Sequence, residues 1–243
     1  MLPKLDIPIF ETKLISSGKP IKFRPFLVKE QKLLLMVNQG DDIKEAITVV
    51  KQVLKNCIVD DINIDDLPSF DLEWLFLNLR AKSVNEIVDL KYQCNNIIKD
   101  ENGENKQCSS VEKFQIKLLD IKPTKGENHT NKIQLSEKLG VVMKYPTFEM
   151  IAKLENKSED EILMDLLVNC IDYVYDEDNI YRTKDLPKEE VVEFIDSMQQ
   201  KDLEKIQEFF ETAPKLKHTI NFDCKKCGYK EDIPVEGLQN FFI

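Results

Sequence analysis

A chain of 243 residues, 42% apolar and 32% charged, has the composition of a soluble globular protein with room for one large domain or two small ones. Its net charge of −10 argues against binding nucleic acid by broad phosphate neutralisation, and six cysteines in this length do not make a disulfide scaffold. No run approaches the length of a membrane span, and MLPKLDIPIF lacks the basic-then-apolar layout of a signal peptide, so a reducing, cytoplasmic setting is expected.

The start, IFETKLISSGKPIKFRPF, alternates apolar and polar residues on both sides of Ser16-Ser17-Gly18-Lys19 and predicts a β-hairpin. Pro20 and Pro25 fit only strand ends or an edge. LVKEQKLLLMVNQ places Leu27, Leu34, Leu35 and Val37 at helical spacing and predicts a helix ended by Gly40. A second helix over 42–58 carries Ile43, Ile47, Val50, Val53 and Leu54 on one face and should run antiparallel to the first. Ser69 is placed to cap a third helix, with Asp71 and Glu73 in the first turn where the dipole favours negative charge. Its Leu72, Trp74, Leu75 and Leu79 are expected to pack on the earlier helices. The acidic pairs Asp60-Asp61 and Asp65-Asp66 lack the spacing of a calcium loop and read as capping and solvation.

From 84 to 119 the period becomes two. VNEIVDLKYQC and SVEKFQIKLLDI predict the strands of a long hairpin joined through NNIIKDENGENKQ. KIQLSEKLGVVMKYPT predicts two shorter strands around Lys138–Gly140. Pro146 ends pairing and Thr147 can cap a helix at FEMIAKLE. Ser158 and Glu161 form a capping box before ILMDLLVNCIDYVY, read as one helix. Pro187 opens a helix at KEEVVEFIDSM, and another runs to about Thr212. KLKHTINFDC and YKEDIPV predict a closing strand pair, followed by the apolar LQNFFI. Strand and helix runs are segregated, which predicts an α+β fold. The expected parts are a β-hairpin and three-helix region (1–83), a β-rich zinc-ribbon-like region (84–145 plus 214–243) and an inserted helical subdomain (146–213).

The chemistry sits in the cysteines. Cys224 and Cys227 form C-x-x-C in FDCKKCGYK, where a tight turn aims both thiolates at one point and Gly228 lets the chain leave with positive φ. Cys94 and Cys108 have thirteen residues between them, unlike a standard knuckle, yet they flank the loop of the long hairpin and so can meet at its base. The expectation is one structural, tetrahedral zinc held by Cys94, Cys108, Cys224 and Cys227. A redox C-x-x-C would open a helix after a strand, whereas the strand-like DIPV follows here. His218, six positions before Cys224, is read as solvated, and Cys57 and Cys170 as small core residues. Lys217, Lys225, Lys226 and Lys230 near the knuckle offset thiolate charge; the rival reading is a nucleic-acid-binding zinc-ribbon factor of viral transcription.

A four-cysteine zinc site is coordinatively closed, hence structural rather than catalytic. The two histidines, His129 and His218, have no persuasive nucleophile beside them, and no phosphate-cradling or nucleophile-elbow motif occurs. The acidic run YDEDNIY reads as a solvated turn, and the chain reads as a non-enzyme.

Three blocks, SSGKPIKFRPFLVKEQKLLLM, SFDLEWLFLNLRAKSVNEIVDLKYQC and LGVVMKYPTFEMI, together resemble the baseplate hub subunit and hub-assembly proteins of contractile-tailed, T-even-type bacteriophages. The resemblance spans most of the chain, from the first hairpin to the helices after 146. It implies a role in building the central hub of the tail baseplate, synthesis in the cytoplasm of an infected bacterium, other baseplate or hub proteins as partners, and no catalysis. The edge of the first hairpin and the tail Phe241-Phe242-Ile243 are the docking surfaces this reading offers.

Overall fold

The computed structural model describes residues 5–37, 43–99, 103–154 and 157–236. Gly40 and the tail 237–243 lie outside them, so the expected helix stop and docking tail do too.

The hairpin forms as its alternation dictates, with β1 (Phe10–Lys13) antiparallel to β2 (Pro20–Phe23). Pro20 begins its strand, where the missing N–H does least harm. The helices α1 (Val28–Val37), α2 (Ile43–Cys57) and α3 (Ser69–Ser83) follow. Ile21, Phe23, Val50, Val53, Leu54, Leu72, Leu75 and Leu79 are buried together in a first core with Cys57. Burial of each such side chain is worth about 1.5–3 kcal/mol.

Two expectations for α3 need correction. Pro68, not Ser69, occupies the N-cap, and it makes no side-chain cap bond. Asp71 does not simply face the dipole. Buried, its carboxylate accepts the Ile15 N–H at 2.6 Å, the Ser16 N–H at 3.1 Å and the Ser16 hydroxyl, so it holds the hairpin turn. Trp74 likewise leaves the first core: its indole N–H donates to Lys13 O at 3.1 Å, and its ring joins Leu77 and Ala81 in a second cluster on the other side of α3. A helix wedged between two cores is apolar on most of its circumference.

That second cluster is the underside of a β-ribbon. Strands β3 (Ile87–Gln93) and β6 (Val111–Lys117) pair antiparallel, Ile87 with Lys117 through Gln93 with Val111. Between them a smaller hairpin projects, β4 (Ile97–Lys99) with β5 (Asn105–Gln107). Ile116, Leu118 and Ile121 meet Trp74 and Leu77 there, together with Leu216, Ile220 and Val235 from the last strand pair.

The remaining strands are β7 (Lys132–Gln134), β8 (Gly140–Met143), β9 (Ile171–Tyr175) and β10 (Ile180–Arg182), in an antiparallel sheet of order β10-β9-β8-β7. The run 162–175 is therefore not one helix. After α4 (Phe148–Ala152, capped by Thr147), α5 (Glu159–Cys170) ends at Cys170 and β9 starts at the next residue. Ile171, Tyr173, Val174 and Tyr175 are β-branched or aromatic, and strands on both sides satisfy the backbone. The Ser158–Glu161 capping box forms as read. YDEDNIY is the β9–β10 turn, with the Asp176 carboxylate accepting from the Asp178 and Asn179 N–H groups. Helices α6 (Lys188–Asp196) and α7 (Gln200–Thr212) cover this sheet, so the helices of 146–213 share a core with Ile133, Val141 and Met143. Strands β11 (Lys217–Asp223) and β12 (Lys230–Glu236) close the fold.

Candidate metal centre

The four cysteines come from two strand pairs far apart in the chain. Cys94 follows β3 and Cys108 follows β5, while Cys224 and Cys227 lie in the turn between β11 and β12. Their four sulfurs all lie within 4.8 Å of one another, with Cys94–Cys227 and Cys108–Cys224 each at 3.7 Å. A disulfide needs about 2.05 Å. A tetrahedron of zinc–sulfur bonds of about 2.3 Å has an edge of about 3.8 Å. Two of the sulfur pairs match that edge and no pair exceeds 4.8 Å, so the four residues could hold a tetrahedral cation.

The two halves of the site repeat one backbone pattern. The Cys94 N–H donates to Ser110 O at 2.8 Å and the Cys224 N–H to Tyr229 O at 2.9 Å. In return the Ser109 N–H donates to Cys94 O at 3.1 Å and the Gly228 N–H to Cys224 O at 2.8 Å. Ser109 and Gly228, each just after the second cysteine of its half, both have left-handed φ, +52° and +72°. Cys94 therefore corresponds to Cys224 and Cys108 to Cys227. The first half is a knuckle like the second, opened by the β4–β5 hairpin, which the spacing alone hid. Ser109 is the residue whose role escaped the sequence: a serine in the left-handed region is uncommon and gave no local signal.

Backbone N–H groups two positions beyond the cysteine serve three of the sulfurs: Asn96 to Cys94, Ser110 to Cys108 and Tyr229 to Cys227. The Asn96 side chain adds an N–H to Cys227 Sγ at 3.7 Å. Such donors stabilise thiolate over thiol. The Tyr229 N–H, aided by Asn96, draws Cys227 down to about 6. Burial pushes Cys94 up to about 12. At Cys108 the Ser110 N–H pulls down, but burial among neighbouring sulfurs carries the thiol up. Four adjacent sulfurs cannot all lose protons unless a cation balances them, and metal ligation requires that they do.

Around the sulfurs Tyr92 and Phe222 meet edge to face at 4.8 Å, and Phe114 packs on Phe222. These rings wall the cluster, in which Cys94, Cys108 and Cys224 are buried and Cys227 is half-buried. His218 lies on β11 outside the sulfur cluster. Of the neighbouring lysines, Lys226 donates to Cys108 O at 3.3 Å and Lys230 pairs with Asp223 at 3.1 Å. Cys57 and Cys170 sit fully buried in the first core and the sheet core, where burial raises their thiols to about 11 and about 12.

With this geometry established, comparison with known proteins is informative. The family described as T4 bacteriophage base plate protein matches residues 7–243. The chain belongs to this family. Its members are phage baseplate proteins, so the match covers both the hairpin-and-helix part and the cysteine ribbon of this baseplate protein. No curated protein and no solved structure matched the chain. Among the described residues no helix is long and apolar enough to cross a membrane.

Proposed function

We propose that this baseplate protein is a structural or assembly component of the tail baseplate hub, acting through contacts with other baseplate or hub proteins and catalysing no reaction. The family match carries the baseplate role; the resemblance of the RPFLVKEQK and LFLNLRAKS blocks to hub proteins supports the narrower placement. The protein would be made in the cytoplasm of the infected bacterium and act there or in the tail baseplate.

The same reading assigns a structural zinc to Cys94, Cys108, Cys224 and Cys227. The observation that supports it is the 3.7 Å sulfur spacing, which matches a tetrahedral edge. Bound zinc would fix the orientation of the β11–β12 pair on the β3–β6 pair, and through them the ribbon on α3. The reading also treats the hairpin-and-helix part (1–83), the ribbon region (84–145 plus 214–243) and the segment 146–213 as assembly units, the last joined to 132–143 through a shared sheet and core. The rival, a nucleic-acid-binding ribbon factor, has against it the charge of −10 and the engagement of Lys226 and Lys230 within the fold.

The test is co-expression with neighbouring tail proteins, pull-down, and metal analysis of the same sample. Retention of a hub protein and about one zinc per chain is the expected result. A metal-free, well-folded protein would remove the zinc assignment. Capture of baseplate proteins from outside the hub alone would remove the hub placement.

A further inference from the structure

Strand β3 has one bonded neighbour, β6, in a two-stranded ribbon. The Leu118 N–H donates to Glu86 O and the Cys94 N–H to Ser110 O, both at 2.8 Å and both in the β3–β6 register. Bonding direction alternates along an antiparallel strand, so the even-numbered residues of β3 bond to β6 and the odd-numbered ones point their N–H and C=O groups the other way. Ile87 agrees: its N–H is taken by the Asn85 side chain at 3.1 Å rather than by β6. Among the described residues, the backbone groups of Asp89, Lys91 and Gln93 on that edge have no bonded partner, and all three side chains are exposed.

Proteins ordinarily blunt such an edge with a proline, a bulge or a covering segment. Counted from the bond between the Cys224 N–H and Tyr229 O, the same alternation turns Pro234 outward on β12, where its missing N–H breaks the row. β3 has no proline, no glycine and an unbroken register. It carries charge instead. Lys91 lies directly across from Lys113 of β6, a like-charge pair that costs stability, and no carboxylate is bonded to either lysine among the described residues. Asp89, on the same exposed face as Lys91, accepts from the Gln115 side chain at 3.0 Å and from no cation.

We propose that β3 pairs antiparallel with β3 of a second copy of this chain, about a twofold axis at Leu90. Asp89 of each copy then stands opposite the partner's Lys91, and Leu90 opposite the partner's Leu90. The two ribbons join into one sheet of order β6-β3-β3-β6. This register meets two independent conditions. Odd residues face odd residues, as the outward backbone groups demand. Each lysine left beside a like charge gains a carboxylate, and twofold symmetry makes that pair twice. The neighbouring registers of the same parity set Asp89 against Asp89 or Lys91 against Lys91, which repel. The contact goes beyond the baseplate role and needs no other phage protein.

The test is sedimentation of the full chain over a range of concentrations, in reducing buffer to exclude disulfide-linked dimers. A monomer–dimer equilibrium is expected. Asp89→Lys and Lys91→Asp should each weaken dimerisation at least about fivefold, since two attractive pairs become two repulsive ones. An equimolar mixture of the two variants should dimerise again, because both cross-strand pairs in the mixed dimer join opposite charges. If either variant loses its fold by circular dichroism, Asp89→Asn and Lys91→Gln remove the charges without reversing them and should each weaken dimerisation at least about twofold. A monomer at every concentration, dimerisation unchanged in the single variants, or no recovery in the mixture of folded variants would each overturn the assignment.

Discussion

The sulfurs of Cys94 and Cys227 lie 3.7 Å apart, though the residues are 133 positions apart in the chain. A link of that span closes a very long loop, whose entropy the unfolded chain would otherwise retain, so a metal bound there stabilises the whole enclosed segment.

Replacing Cys227 with serine should therefore abolish zinc binding and cost on the order of 4 kcal/mol or more, the range reached when a structural metal is lost. Cys170→Ala, which touches only the sheet core, should keep the metal. Metal analysis alongside urea melting checks both. A Cys227→Ser protein of unchanged midpoint would show that the cluster carries no folding energy.

The equivalence of the two knuckles makes a sharper prediction. Replacing residues 95–107 with Lys-Lys turns the first half into a copy of the second, and zinc content should stay near one per chain. At the left-handed position Ser109→Gly should be neutral to stabilising by up to about 1 kcal/mol, whereas Ser109→Val should cost about 1–2 kcal/mol. Loss of metal on excising the hairpin would show that β4–β5 is part of the site rather than an insertion into it.

Asp71→Ala should destabilise by about 2–4 kcal/mol, since it strands two hairpin N–H groups and the Ser16 hydroxyl at a buried position. Hydrogen exchange should show the turn at 14–19 opening first. Exchange at wild-type rates there would place the anchor of the hairpin elsewhere.

His129 sets a pH dependence. Its ring stacks with Tyr145 and Phe209, its Nδ1 lies 2.8 Å from Thr212 Oγ1, and its Nε2 lies 2.8 Å from the Tyr145 hydroxyl. Thr212 spends its own proton on Glu208 O, so His129 Nδ1–H donates to Thr212 and Nε2 accepts from Tyr145. Burial, then nearby Lys125, holds the imidazolium below its ordinary pKa. A histidine with a depressed folded pKa favours the fold in its neutral form. That contribution is whole above the unfolded value of about 6.5 and fades as pH falls below it. Denaturant midpoints between about pH 5 and 7 should fall with acidification, and more steeply than in His129→Phe. Parallel slopes would locate the titration in another group.

The sequence displayed what local chemistry decides. The hairpin turn, the Ser158–Glu161 box and the Thr147 cap are written in neighbouring residues, and all three formed. The four cysteines whose sulfurs meet are those that spacing and strand placement singled out. What stayed hidden was set by distant partners. β9 passed for helix because an apolar run of that length suits either state until a neighbouring strand claims its backbone. Trp74 went to the ribbon because α3 is flanked on two sides, and a single helix periodicity cannot assign each side its neighbour. The knuckle symmetry was masked by thirteen intervening residues, although its hydrogen bonds are the same in both halves.

Because Cys224 trails Cys108 by 116 positions, translation at roughly 5–20 residues per second leaves the first half of the ribbon waiting for about 6–23 seconds. Throughout that interval a nascent chain shows Phe114 and Ile116 without the strands that will cover them, and offers two thiols to any passing cation. The last strand pair thus acts as a latch that only late synthesis can throw.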